Sequence, residues 1–181
     1  NRDTYCYVWP RDAALAAVAF SEAGHAELAR GFFRFCQGVV TRQGYFRHKY
    51  GPLGDVASSW HPFVDHEGHP QLPIQEDETG LVLYALWRHY LKWRDFEFIV
   101  PMYRGVIKNG ADFMVGYRHR ATGLPAPSFD LWEERWGIHT FTVAAVWAGL
   151  QAAAFFTQLF NEHKVSETYL QAAREIRAAA L

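Results

Sequence analysis

The feature that most constrains this chain is a long-period alternation. Two helical segments joined by a short turn are followed by a long loop rich in Gly, Pro, His and Trp, and the pattern then repeats. Residues 12–23 read as a helix built on Ala13, Leu15, Ala16, Val18 and Phe20, with Asp12 as its N-cap and Gly24 closing it. Residues 26–40 place Leu28, Phe32, Phe35 and Val39 at helical spacing. Residues 79–93 follow Asp77 as a cap and are apolar on most sides, through Leu81, Val82, Leu83, Leu86 and Tyr90, so burial all round is expected. Residues 98–115 carry Pro101 in the first turn. Residues 140–160 are almost wholly apolar, and a last helix follows Ser166 as cap, with Tyr169, Leu170, Ala173 and Ile176 on one face. No segment reads as a strand.

These six stretches pair into three helical hairpins whose first members begin near positions 12, 79 and 140. The first helix of each pair is the more apolar. The simplest packing is therefore a double layer, first helices inside and second helices outside. Phe155, Phe156, Leu159 and Phe160 are then expected to leave apolar surface at the edge of the array. The chain opens on Asn1-Arg2-Asp3 and runs out through an Ala-rich helical pattern at Leu181, which reads as part of a longer protein.

Composition narrows the partners. Eighteen Lys and Arg against nineteen Asp and Glu leave a net charge of −1, with no basic footprint for nucleic acid or an anionic membrane. No apolar run approaching the ~20 residues of a membrane span is expected. Cys6 and Cys36 can make at most one bridge. The sequence holds no phosphate-binding loop, dinucleotide fingerprint or nucleophile elbow, so no cofactor is expected.

Function is expected in the long loops, since loops beyond ~12–15 residues in a compact domain are usually functional. The segments 4–12, 43–78 and 118–139 hold most of the Trp, His and loop carboxylates. Each leads into the N-terminus of a first helix, so in a regular array all three converge on one face. Indole rings stacking on pyranose faces, with Asp, Glu and Arg forking onto vicinal hydroxyls, are the makings of a sugar site.

Phe129-Asp130-Leu131-Trp132-Glu133-Glu134-Arg135-Trp136-Gly137 is the sharpest element. Adjacent carboxylates between aromatic walls push one carboxyl pKa upward, as a general acid needs, with Arg135 opposing this if it points inward. A charged loop with Trp packed for stability fits the same spacing. In Tyr7-Val8-Trp9-Pro10-Arg11-Asp12, Pro10 forces Trp9 extended, and Arg11 and Asp12 can bridge sugar hydroxyls or serve as a surface Arg beside a cap. In Leu72-Pro73-Ile74-Gln75-Glu76-Asp77-Glu78-Thr79-Gly80, the helix dipole alone explains three acids at a helix start, while Gln75 and Asp77 can line a site wall. His61, His66 and His69 lie near Asp65 and Glu67, but their spacing fits no standard zinc pattern, and no metal site is expected.

Taken together in this order, the Tyr-Cys-Tyr-Val-Trp-Pro-Arg-Asp, Leu-Pro-Ile-Gln-Glu-Asp-Glu-Thr-Gly and Phe-Asp-Leu-Trp-Glu-Glu elements resemble glycoside hydrolase family 15 across nearly the whole chain. That family holds glucoamylases, glucodextranases and some trehalases, and the likeness is to its bacterial and archaeal branch. The resemblance implies an all-α (α/α)6 barrel, about half of it present here as three helical hairpins in a partial catalytic domain spanning 1–181. It implies exo-acting, inverting hydrolysis of α-glucosidic bonds, releasing β-glucose from the non-reducing ends of an oligosaccharide or polysaccharide. Carried over by motif, Glu133 matches the general acid, Glu134 the neighbouring substrate-contacting carboxylate, and Arg11 with Asp12 the pair that holds the terminal glucose. Trp132 and Asp130 match the surrounding loop, and Trp9, Trp60, Gln75 and Asp77 are further pocket candidates. The family's general base is a second Glu from the other half of the barrel, so the rest of the catalytic domain is required. Trehalose and isomaltose or dextran stand beside starch fragments as substrates. Outside enzymes, composition and periodicity alone favour a helical-hairpin scaffold that binds a peptide or a glycan without cleaving it, and the Trp-Glu-Glu element argues against it.

Overall fold

A computed structural model describes residues 6–57, 62–65 and 67–181. The chain folds as three helical hairpins. The first pairs α1 (Pro10–Glu22) with α2 (Ala26–Val39), and the second pairs α3 (Glu76–Trp93) with a broken return. That return runs through α4 (Phe96–Ile99), a 3-10 turn (Val100–Met102), a π-turn (Tyr103–Lys108) and α5 (Asn109–Gly116). The third hairpin pairs α6 (Thr140–Leu159) with α7 (His163–Ala180). Helix α1 packs on α3 and α3 on α6, forming an inner row, while α2, α5 and α7 pack behind it. This is about half of an (α/α)6 barrel.

Sequence explains the two layers. Helix α7 buries Tyr169, Ala172, Ala173 and Ile176, one stripe at i, i+3, i+4 and i+7, and leaves its charged side in water. Helix α2 buries Ala29, Phe33 and Cys36, one position round from the stripe expected from sequence: Phe32, Phe35 and Val39 are only partly buried and Leu28 is exposed. Helix α3 is buried on most sides, because it has a neighbour on each flank and one behind. Where α3 crosses α6 the contact is backbone to backbone: a β-carbon at Gly80 would lie 2.4 Å from the carbonyl oxygen of Ala145.

Several expectations need correction. Helix α1 begins at Pro10, whose fixed φ suits a first turn, so extended Trp9 occupies the N-cap position and Asp12 sits inside the first turn without capping. Helix α3 begins at Glu76 behind Gln75, which puts Asp77 inside the helix as well. Asn161, at φ 59, turns the chain sharply after α6, so α7 starts at His163. The Ser166 hydroxyl then donates to the Ala154 carbonyl on α6 at 3.0 Å, serving helix packing and not a cap. The fourth helix is interrupted where Pro101 lacks an N–H, and Asp95 caps its first turn by accepting from the Phe98 N–H at 3.1 Å. A short hairpin, β1 (Ser128–Phe129) against β2 (Trp136–Gly137), also forms, with Phe129 opposite Trp136.

The apolar edge differs from expectation too. Phe156 is fully buried and Phe160 stacks on Tyr103 at 3.7 Å, because these rings face the second hairpin and not the outside. The half-exposed apolar side chains of the helices include Leu15, Phe20 and Phe141, and a groove runs between Val143, Trp147, Ile176 and Ala180. Helix α6, at 20 residues, is long and apolar enough to cross a membrane by length and composition, which the sequence reading denied. Its buried face against α3 and α7 accounts for that character as a core helix. Cys36 is a buried thiol and Cys6 an exposed one, with no disulfide between them.

Candidate active site

Three loops meet at the N-terminal ends of α1, α3 and α6, and one glutamine ties them. Arg11, in the first turn of α1, is buried. Its Nη1 donates to Gln75 Oε1 at 2.5 Å and to Asp77 Oδ2 at 3.3 Å, and its Nη2 lies 3.5 Å from Asp12 Oδ2. Gln75 Nε2 donates in turn to the main-chain oxygen of Asp130, in the hairpin before α6, at 2.7 Å. The guanidinium thus has a buried edge fixed by Gln75 and Asp77 and an outer edge beside Asp12, whose side chain is 68% exposed. That outer edge offers a donor and an acceptor side by side, the pairing that vicinal hydroxyls take. Arg11 is not the surface arginine that local sequence allows.

The hairpin carries the carboxylates. Asp130 Oδ1 accepts from the main-chain N–H groups of Glu134 and Arg135 at 2.9 and 3.2 Å, folding the tip back on itself. Those hydrogen bonds hold the Asp130 carboxyl below its ordinary range. Within this tip Glu133 adopts the left-handed conformation, φ 62. Its Oε1 lies 2.9 Å from Nε2 of His48, a side chain only 3% exposed. Trp132 is 77% exposed and Trp136 packs edge-on against Phe129, so the two indoles do not wall in Glu133 as the sequence suggested. The Arg135 side chain is exposed, and its carbonyl accepts from the Asp130 N–H at 2.9 Å.

Behind the rim, the acids at the head of α3 are buried and do not cap the helix. Burial pushes the Asp77 carboxyl upward, and Arg11 offsets part of that. Burial pushes the Glu78 carboxyl well up, with Asp77, Asp12 and Glu133 adding negative charge around it. Among the described residues neither Glu78 oxygen has a hydrogen-bond partner, so its surroundings favour the neutral form over the charged one. Burial raises Glu76 in the same way.

Arg11, Asp12, Gln75, Asp77 and Asp130 are thus brought together, and Glu133 and Glu134 lie in the turn that Asp130 closes. Trp9 is half-buried, with Tyr7 edge-on at 6.0 Å and the Lys49 ammonium 5.8 Å from its ring. Trp60 lies outside the described residues, as do His61 and His66. Asp65, Glu67 and His69 bring potential ligand atoms within 4.8 Å of one another, but Asp65 Oδ1 is taken up closing its own turn by accepting from the Glu67 and His69 N–H groups. Sequence reasoning missed His48 as a site residue. The signal was available: Phe46-Arg47-His48-Lys49-Tyr50 alternates rings with cations, and the structure buries Phe46, His48 and Tyr50.

Paired α-hairpins with an inner and an outer row, and loop-borne carboxylates gathered at one end, define the class: an (α/α)6-barrel glycoside hydrolase. The chain belongs to glycosyl hydrolases family 15, which it matches over residues 2–180. It is 31% identical over 160 residues to an uncharacterized glycosyl hydrolase of Methanocaldococcus jannaschii, covering 87% of this chain and 23% of that protein. Its fold is similar to the glucoamylase of Saccharomycopsis fibuligera, with a TM-score of 0.72 at 18% identity, covering 97% of this chain and 40% of that one. It is also similar to a glycosidase variant solved with glucose, with a TM-score of 0.70 at 22% identity, covering 96% and 47% of the two chains. The chain therefore spans less than half the length of these solved structures and about a quarter of that relative.

Proposed function

We propose that the protein carrying this chain is an exo-acting, inverting α-glucoside hydrolase that releases β-glucose from the non-reducing ends of α-glucans. Glu133 protonates the glycosidic oxygen, and Arg11 and Asp12 hold the terminal sugar. Asp77, Gln75, Asp130 and the exposed Glu134 and Trp132 build the pocket around it, with Trp9 and Trp60 as further walls. The general base is a second carboxylate from the part of the barrel outside these 181 residues, about 6.5–9.5 Å from Glu133 across the space for the attacking water. The 181-residue chain on its own is a partial catalytic domain without turnover.

One observation carries the reading. Gln75 joins Arg11 to the Asp130 carbonyl, so the hairpin bearing Glu133 and the fork that suits sugar hydroxyls share one rim. A binding scaffold has no need of that coupling between a diol fork and a partly exposed carboxyl.

The test is proton NMR of maltose with the complete protein, following which glucose anomer appears first. Initial β-glucose supports the proposal, and initial α-glucose overturns the inverting mechanism. If maltose is left intact, trehalose and isomaltose are the next substrates. Glu133→Gln should cost about 10²–10⁴ in rate, the usual worth of general acid catalysis. A scaffold would be indifferent to that change.

A further inference from the structure

We propose that His48 is the positioning residue of Glu133: a neutral imidazole that holds one carboxyl oxygen by its Nε2–H, so that the other oxygen carries the transferable proton. This rests on Glu133 acting as the general acid.

The geometry begins with the problem Glu133 poses. It is a long side chain on a strained left-handed residue, at the tip of a hairpin whose strands are two residues each. Such a side chain needs a fixed partner to keep one orientation. His48 Nε2 supplies it at 2.9 Å from Oε1. The histidine is itself clamped. The Phe46 N–H donates to Thr79 Oγ1 on α3 at 3.2 Å, and the Arg47 N–H donates to the Tyr50 hydroxyl at 2.7 Å. Tyr50 and Val8 exchange both main-chain hydrogen bonds at 2.8 and 2.9 Å, fixing this strand-like segment beside the start of α1. His48 therefore reaches Glu133 from a frame built on the same two inner helices that hold Arg11 and Gln75.

The proton inventory closes. In the resting state Oε1 accepts from Nε2–H while Oε2 bears the acidic proton. During glycosidic cleavage that proton passes to the leaving oxygen as the C–O bond breaks, and the Nε2–H bond remains on the new carboxylate. His48 neither gains nor loses a proton, and Glu133 is reprotonated from water. A donor that bonds a carboxylate more strongly than its acid eases ionisation, so removing the donor makes the acid harder to ionise. Glu78 on α3 feels the charges of Glu133, Asp77, Arg11 and Asp12, while Asp130, Glu134 and Arg135 neighbour Glu133 along the hairpin and Arg47 and Lys49 flank His48 in sequence. Each is unchanged in a His48 variant, so a shift isolates the lost donor.

In the complete protein, His48→Ala should lower kcat about 10–100-fold, the scale of one buried hydrogen bond to a charged group, with KM little changed. The basic limb of its kcat/KM profile should move to higher pH. His48→Gln, which keeps an N–H donor, should recover part of both. Nitrogen NMR of the labelled imidazole in the wild type should report the neutral Nε2–H tautomer, and an imidazolium would overturn the proposal. Lower thermal stability with an unshifted pH limb would make His48 merely structural and equally overturn it. If Glu133→Gln keeps the wild-type rate, the catalytic reading of Glu133 fails and the role of His48 fails with it. Loss of rate in Glu133→Gln beside an unshifted His48→Ala profile sinks the His48 role alone.

Discussion

Gln75 donates to the main-chain oxygen of Asp130 at 2.7 Å while its own oxygen accepts from Arg11 at 2.5 Å. One buried amide therefore sets the distance between the first turn of α1 and the hairpin before α6. Gln75→Glu keeps the bond to Arg11 but loses the donor and turns a carboxylate toward a carbonyl oxygen. Gln75→Ala removes the link itself: the Asp130 carbonyl keeps only the Glu133 N–H, at 2.9 Å, and Arg11 Nη1 keeps only Asp77 Oδ2, at 3.3 Å. Losing a hydrogen bond to a charged group costs about 1.5–3 kcal/mol. We expect both variants of the complete protein to lose at least about tenfold in kcat/KM, with Gln75→Glu the milder for the Arg11 edge and the harsher for the hairpin. A wild-type kcat/KM in both would break the proposed coupling.

Glu78 and Glu76 should shape the stability of the fold against pH. Burial raises both carboxyls well above 4.5, and among the described residues Glu78 has no hydrogen-bond partner for a charge. A group with a folded pKa above its unfolded value binds more protons in the native state. Its contribution is thus fully present below about pH 4.5 and is lost as pH rises toward the folded pKa. Glu78→Gln keeps the shape of the neutral acid and removes the ionisation. The thermal midpoint of Glu76→Gln/Glu78→Gln should fall less between pH 5 and 9 than that of the wild type. A parallel pair of curves would show that these acids ionise freely in the folded state.

His89 carries the opposite slope. Its Nδ1 lies 2.8 Å from the Ser21 hydroxyl, linking α3 to α1, and burial lowers its pKa from 6.5 to about 4. The unfolded chain takes up this proton first, so the His89 contribution is intact above pH 6.5 and is lost as pH falls toward 4. Replacing His89 with Gln, which can still bond Ser21, should flatten the acid side of the stability profile while leaving the alkaline side alone. Circular-dichroism melts from pH 4 to 7 read this directly, and an unchanged acid slope would contradict the assignment.

The inner and outer layers were legible because burial writes itself into spacing. Tyr169, Ala173 and Ile176 on α7 recur at the helical period and are buried, whereas on α2 the expected stripe of Leu28, Phe32, Phe35 and Val39 lies beside the buried one, Ala29, Phe33 and Cys36. The caps were not legible. Asp77 and Ser166 are good capping residues that the packing claims instead, Asp12 sits exposed inside the first turn, and Trp9 and Gln75 stand at the N-cap positions without a side-chain capping bond. The loops that gather the site were readable from their chemistry, whereas the pairing of His48 with Glu133 joins positions 85 residues apart in sequence, which no local pattern encodes. The exposed Trp132 shows the same limit, since an indole in a motif says nothing of which way its ring turns.

The last prediction concerns the distance between α3 and α6, on which the geometry of the rim depends. Gly149 meets Gly80 directly: a β-carbon on Gly149 would lie 2.7 Å from the Gly80 α-carbon and 2.8 Å from its carbonyl oxygen. Only backbone stands in the way, so Gly149→Ala must push the two helices apart. Overpacking of this kind costs about 1–3 kcal/mol, enough to cancel the ~1 kcal/mol that Ala gains over Gly in a helix. Gly31 on α2 is the control, because nothing lies within 4 Å of its would-be β-carbon and its backbone is ordinary helix. Gly31→Ala should raise the thermal midpoint, as helix propensity alone dictates, while Gly149→Ala should lower it. Helix α3 begins beside Gln75 and α6 follows the hairpin, so separating them also stretches the 2.7 Å bond from Gln75 to Asp130. Gly149→Ala should therefore lose activity at temperatures where it is still folded, and Gly31→Ala should not. Equal stability changes in the two variants would mean that α3 and α6 have room to spare, and that the rim is set by its loops alone.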